Sequence, residues 1–103
     1  MSLWKRIGKR MGIDFGDFNV WLDHAMRPGS PRRALLDRYD RSLHAIEIAE
    51  ARLEVWVMVN VDAKGFEAAY KKRGKRLADL ERASVSVLEQ VFRAYRQDKT
   101  LGK

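Results

Sequence analysis

The sequence predicts an all-α protein built on a long antiparallel helical hairpin, and three observations carry that prediction. Two runs of about thirty residues each place apolar side chains at intervals of three and four. The runs meet at Asp62-Ala63-Lys64-Gly65, a short stretch ended by the glycine that a helix stop favours. At a rise of about 1.5 Å per residue each run makes a helix of roughly 45–48 Å, so the two ends match.

Composition sets the limits on this design. The chain has 103 residues, no cysteine, and 21 Lys and Arg against 14 Asp and Glu, a net charge of +7. A chain of this length buries about 60–70% of the surface its unfolded form exposes, so one domain with a thin core is expected, helped by dimerisation or a partner. Without cysteine there is no disulfide framework, thiolate metal site or cysteine nucleophile, which suits a reducing, cytoplasmic setting. The longest uninterrupted apolar run, Val55 to Val59, is too short to span a bilayer. No apolar stretch of secretory-signal length follows the basic first dozen residues. The cationic surplus attracts polyanions, nucleic acid or an acidic protein face, and excludes an acidic nucleic-acid mimic.

The chain divides into an N-terminal segment, residues 1–29, and the hairpin, residues 30–103, within a single domain. Leu3, Trp4, Ile7 and Met11 share one helical face, with Lys5, Arg6, Lys9 and Arg10 opposite, in a short helix weakened by Gly8 and stopped near Gly12. The expectation is that this stripe docks on the body of the protein. The alternatives are a phosphate-binding arm and, as a third reading, attachment to a membrane surface. Ile13, Phe15, Phe18, Trp21, Leu22 and Met26 predict a second short helix over about 15–26, capped by Asp14 or Asp17. Arg27-Pro28-Gly29-Ser30-Pro31 breaks it, and Ser30-Pro31 supplies a cap and first turn for the next helix.

The first hairpin helix is predicted over about 31–61, with a seam of Leu36, Tyr39, Leu43, Ile46, Glu50, Leu53, Val57 and Asn60. Glu50 or Asn60 is expected to set its register. Four valines at every second position of residues 54–61 are also a strand signal, but the unbroken three-four spacing decides for helix. This stretch is apolar on every side, and the second hairpin helix covers one flank only. Val55, Trp56, Met58 and Val59 are therefore candidate interface residues, for a second copy or for another protein. The second hairpin helix, about 66–97, carries Phe66, Tyr70, Leu77, Leu80, Ser84, Val87 and Val91, widened by Val85, Leu88, Phe92 and Tyr95. Residues 98–103 predict a frayed basic tail.

Lys71, Lys72, Arg73, Lys75 and Arg76 put five cations into six residues, on several sides of a helix, so no single acid neutralises them. With Lys64 nearby they form the leading candidate for phosphate contacts, the alternative being a solvated face. The run also resembles a basic nuclear-import stretch. Arg32 and Arg33 occupy a first helical turn, where the helix dipole disfavours cations, which hints at a group outside the fold that wants their charge, the alternative being ordinary pairing with Asp37 and Asp40. Together with Lys5, Arg6, Lys9 and Arg10 these residues complete a set expected to contact the nucleic-acid backbone rather than the bases.

Residues 77–92, LADLERASVSVLEQVF, resemble the helix-turn-helix of small DNA-binding repressors: Leu77, Ala78, Leu80, Ser84, Leu88 and Val91 fall on its core and turn-flanking positions. Glu81 and Arg82 depart from it, standing where the motif has a small residue and its turn glycine. The resemblance implies that Ser86, Val87, Glu89 and Gln90 belong to a helix entering the major groove. His24 and His44 lack a second His at ligand spacing, and Ser84 and Ser86 lack a base in sequence, so no metal, cofactor or catalytic centre is predicted. The expected function is a non-enzymatic nucleic-acid-binding accessory or regulatory protein. The alternative is an interaction module, an adaptor or inhibitor, gripping a larger acidic partner through the hairpin and the apolar zone around Trp56. Either works as a homodimer or a hetero-complex.

Overall fold

A computed structural model describes residues 3–101 and contains, in chain order, α1 (Leu3–Arg10), α2 (Phe15–Ala25), α3 (Arg33–Asn60) and α4 (Phe66–Leu101). As the sequence predicts, α3 and α4 pack along each other as a hairpin and the short helices lie on it. The molecule is 61 Å long and 28 by 17 Å across.

Local chemistry fixes each junction. Gly12, at φ 72°, ends α1 in a Schellman motif: the Ile13 amide donates to the Gly8 carbonyl at 2.9 Å and the Gly12 amide to Lys9 at 3.1 Å. Asp14 caps α2, its carboxylate accepting from the Gly16 and Asp17 amides at 3.0 and 3.3 Å. Helix α3 starts at Arg33, later than the spacing predicts. Ser30 Oγ accepts from the Arg32 amide at 3.1 Å and holds a separate turn ahead of the helix. At the tip Gly65 adopts φ 79° immediately before α4, a conformation that a side chain with a Cβ avoids. The valine-rich stretch stays helical through Asn60.

Three expectations are corrected. Residues 98–101 continue α4 instead of fraying, because Asp98 and Lys99 are tied to the other helices; residues 102–103 lie outside the described residues. Helix α4 also runs through residues 81–84 without the turn of a helix-turn-helix. Arg82, in place of the turn glycine, keeps the helix intact, and Ser84 is fully buried with its hydroxyl 3.1 Å from that of Ser42. Neither Glu50 nor Asn60 sets the hairpin register. Glu50 is exposed, and Asn60 turns back to donate to the Trp56 carbonyl at 2.8 Å.

The core gathers at the open end of the hairpin. Phe18, 2% exposed, meets the rings of Trp4, Trp21, Phe92 and Tyr95 at centroid separations of 5.7, 5.5, 5.0 and 5.3 Å. Ile7, Leu36, Leu88 and Val91 complete it. Trp4, Ile7 and Met11 thus dock α1 on the body, as expected for its apolar stripe. Gly8 permits the close approach: a Cβ there would lie 2.6 Å from the Phe15 ring and 3.0 Å from Phe92.

A polar clasp closes the same end. Arg32 grips Asp98 with two hydrogen bonds, at 2.7 and 3.0 Å, and the Trp21 indole N–H donates to the same carboxylate at 2.9 Å. Asp17, the other cap candidate, instead accepts from Tyr95 Oη at 2.5 Å and pairs with Lys99 at 2.8 Å. The Arg32 hydrogen bonds hold the Asp98 carboxyl below its ordinary range. Burial, and then the bond to Asp17, pushes the Tyr95 phenol up.

Gly74 lies inside α4 with open space where a Cβ would stand. Gly74→Ala should therefore raise the unfolding free energy by about 0.5–1 kcal/mol in a urea titration, whereas Gly8→Val should lower it by about 1–3 kcal/mol through overpacking. Asp98→Asn should lower stability at neutral pH by about 1–3 kcal/mol. Folded Asp98 binds its proton more weakly than the unfolded chain, whose carboxyl titrates near about pH 4. Its contribution is thus complete above that range and lost as pH falls through the folded pKa, so wild type and variant should converge below about pH 4.

Candidate functional site

Helices α1 and α2 commit their apolar surface to the open end, and among the described residues none between 45 and 80 joins that core. Over this stretch the hairpin is two helices in water. It is held by its own tip: Trp56 stacks on Phe66 with centroids 5.3 Å apart and planes at 10°, Phe66 stacks on Tyr70 at 5.6 Å, and the Arg73 guanidinium lies 4.6 Å from the Trp56 ring. Trp56 is therefore half-buried in the tip. The other predicted interface residues are open to solvent, with Val55 61%, Met58 80% and Val59 77% exposed.

A helix advances about 100° per residue, so Val55 and Val59 fall with Ile48 inside a sector of about 40° along α3. Ile48 is itself 52% exposed. One groove of about 370 Å³ beside this row is bounded by Ile48, Arg52, Leu53, Arg73, Arg76 and Leu80. A shallower one continues it past Val55, Trp56 and Val59, again with Arg52 and Arg73. The linings of the two contain three arginines and no acid. Glu47, Glu50 and Glu54 lie about 100° or more around α3 from Ile48. Met58 falls on that other flank, in a depression shared with Glu54 and Tyr70.

The predicted cations separate into distinct groups. Lys5, Arg6 and Lys9 are exposed on α1 at the open end, while Arg10 pairs with Glu89 at 3.5 Å. Arg32 is bound by Asp98, and Arg33 pairs with Asp37 at 3.1 Å and donates to the Met26 carbonyl. The partner implied by cations in a first turn thus lies inside the fold. Lys64, Lys71, Lys72, Lys75 and Arg76 are exposed, and no ion pair found among the described residues includes them. By helical spacing Lys71 and Lys75 lie on the back of α4, Lys72 and Arg76 on its flank, and Arg73 against Trp56. Residues 45–80 hold seven basic and six acidic side chains, so segregation, not net charge, distinguishes the tip.

At the open end a half-open cleft of about 280 Å³ is lined by Trp4, Phe18, Leu22, Leu36, Tyr39 and Leu43, with Asp40 among few polar groups. Among the described residues no three His, Cys, Asp or Glu side chains are placed to hold a metal ion, and no helix is long and apolar enough to cross a membrane. Comparison of the chain with protein-family models, with curated proteins and with solved structures found no match.

Sequence reasoning missed Ile48 and Arg52. The signal was present in the spacing of seven that joins Ile48 to Val55 and Arg52 to Val59. Because two helices protect their amides less than four do, residues 47–58 and 68–79 should open more easily than residues 86–95. Native-state hydrogen exchange should show protection lower by about tenfold or more at the tip.

Proposed function

We propose that this chain is a non-enzymatic protein-interaction module that grips a larger partner with the uncovered end of its hairpin. The observation that carries this reading is the row of Ile48, Val55 and Val59, three large apolar side chains more than half exposed on regular helix. Burying such a row releases about 25 cal/mol for each Å² of apolar surface taken from water. The Trp56–Phe66 stack and the Arg73 contact hold the row in place beforehand, so little conformational freedom is lost on binding. Arginine and aromatic side chains beside an apolar strip are the composition of interface hot spots.

Nucleic-acid binding is the second reading, favoured by the exposed Lys71, Lys72 and Lys75 that have no ion pair among those found. It leaves the apolar row without a role, and the near balance of charge over residues 45–80 weakens it. A photoreactive side chain placed in cells at position 55 or 59, and separately at 72 or 75, tests the two. A discrete protein adduct from 55 and 59 is the expected result. Nucleic-acid adducts from 72 and 75, with no protein adduct from 55 or 59, would replace the proposal with the second reading.

A further inference from the structure

Resting on that reading, we infer that the partner offers an amphipathic helix whose apolar face lies on Ile48, Val55 and Val59 and whose one edge carries carboxylates facing Arg52, Arg73 and Arg76. The row covers eleven residues of helix advance, roughly 17 Å, which matches about three turns of a docked helix. Its charge is one-sided. Every ionisable group lining the grooves beside it is an arginine, and the acids of α3 are turned to other faces. A partner with a neutral edge leaves this rim unanswered, and one with a basic edge is repelled.

The same asymmetry disfavours an antiparallel pairing of two copies of this chain. A two-fold pairing is isologous, and in an antiparallel pair of α3 helices each edge meets its own equivalent. Arg52, Arg73 and Arg76 would then crowd against the same arginines. A nucleic-acid phosphate answers the arginines but leaves Ile48, Val55 and Val59 in water. An acidic-edged amphipathic helix satisfies both halves of the surface. Rim contacts of this kind act mainly on partner choice and association rate, and they weaken with salt.

The test selects, on the full chain, from a displayed library of helices of about six turns with apolar residues at three-four spacing and random residues elsewhere. Three proteins are compared: wild type, Arg52→Glu/Arg76→Glu and Val55→Asp/Val59→Asp. All four positions are exposed, and circular dichroism is used to check that each variant keeps its helices. The expected result is enrichment of Asp and Glu along one edge only, with affinity at least about tenfold weaker for the arginine variant and lost in the valine variant. Binders that need Val55 and Val59 but carry neutral or basic edges would overturn the partner chemistry and leave the interaction reading standing. Absence of any binder that needs Val55 and Val59 would overturn both. Sedimentation of the free chain supplies a separate check: a dimer abolished by Val55→Asp/Val59→Asp assigns the row to a second copy and overturns the inference. Duplex DNA that binds wild type more tightly than the best peptide, and is lost in the arginine variant, overturns it as well.

Discussion

Phe18 is the side chain on which the arrangement depends. It joins rings from α1, α2 and α4 in one contact set, with Phe92 and Tyr95 of α4 beneath it and Trp4 and Trp21 at its sides. Two short helices anchored through one such centre can cover only the part of the hairpin next to it. Helix α1 has 8 residues and α2 has 11, against 28 for α3 and 36 for α4. Seating them at the open end therefore settles what happens at the other end. The tip is left with the one face that each hairpin helix buries in its neighbour.

The two ends are stabilised by different means. At the open end many aromatic contacts are reinforced by Arg32–Asp98 and by Asp17 with Tyr95 and Lys99. Burying part of an ion pair carries a desolvation penalty that offsets much of its attraction, so Arg32–Asp98 contributes more to geometry than to net stability. It joins the link between α2 and α3 to the last turns of α4, and thereby sets where the short helices sit. At the tip the stack of Trp56, Phe66 and Tyr70 replaces a core. Cations follow the same division: at the open end several are matched by carboxylates inside the fold, while the cluster on α4 faces solvent.

The helices were legible because their signals are local. Gly12, the Asp14 cap and the three-four spacing act within a few residues, and each appears where the sequence implied, whereas Gly65, read as the stop of α3, stands instead immediately before α4, after α3 has ended at Asn60. What was not legible depends on contacts between distant segments. Asp98 and Lys99 end a fading apolar pattern and read as a tail, yet Arg32, Trp21 and Asp17 hold them from 66 to 82 positions away. The conflict of cations in a first helical turn is met by internal partners: Arg33 takes Asp37, the alternative the sequence offered, and Arg32 takes Asp98 from the far end of α4. Trp56 shows how an intramolecular neighbour modifies such a reading. An aromatic residue in an apolar stretch suggests an interface, but a planar neighbour at Phe66 and a guanidinium at Arg73 occupy it first. The candidate surface shifts to the smaller residues beside it.

An exposed apolar row on a hairpin is ordinarily a liability, because identical copies share it and can bury it in one another. The arginines along its edge alter that balance. Apart from the Arg73 contact with Trp56, they do little for a single chain, where exposed charges contribute almost nothing to stability. Between copies in an antiparallel pair they act as repulsion, since that two-fold pairing presents each rim to itself. Toward a helix with carboxylates on one edge they act as attraction over the same few ångströms. One set of side chains thus opposes self-pairing and favours a complementary partner, and the apolar row supplies binding energy that the charge pattern directs.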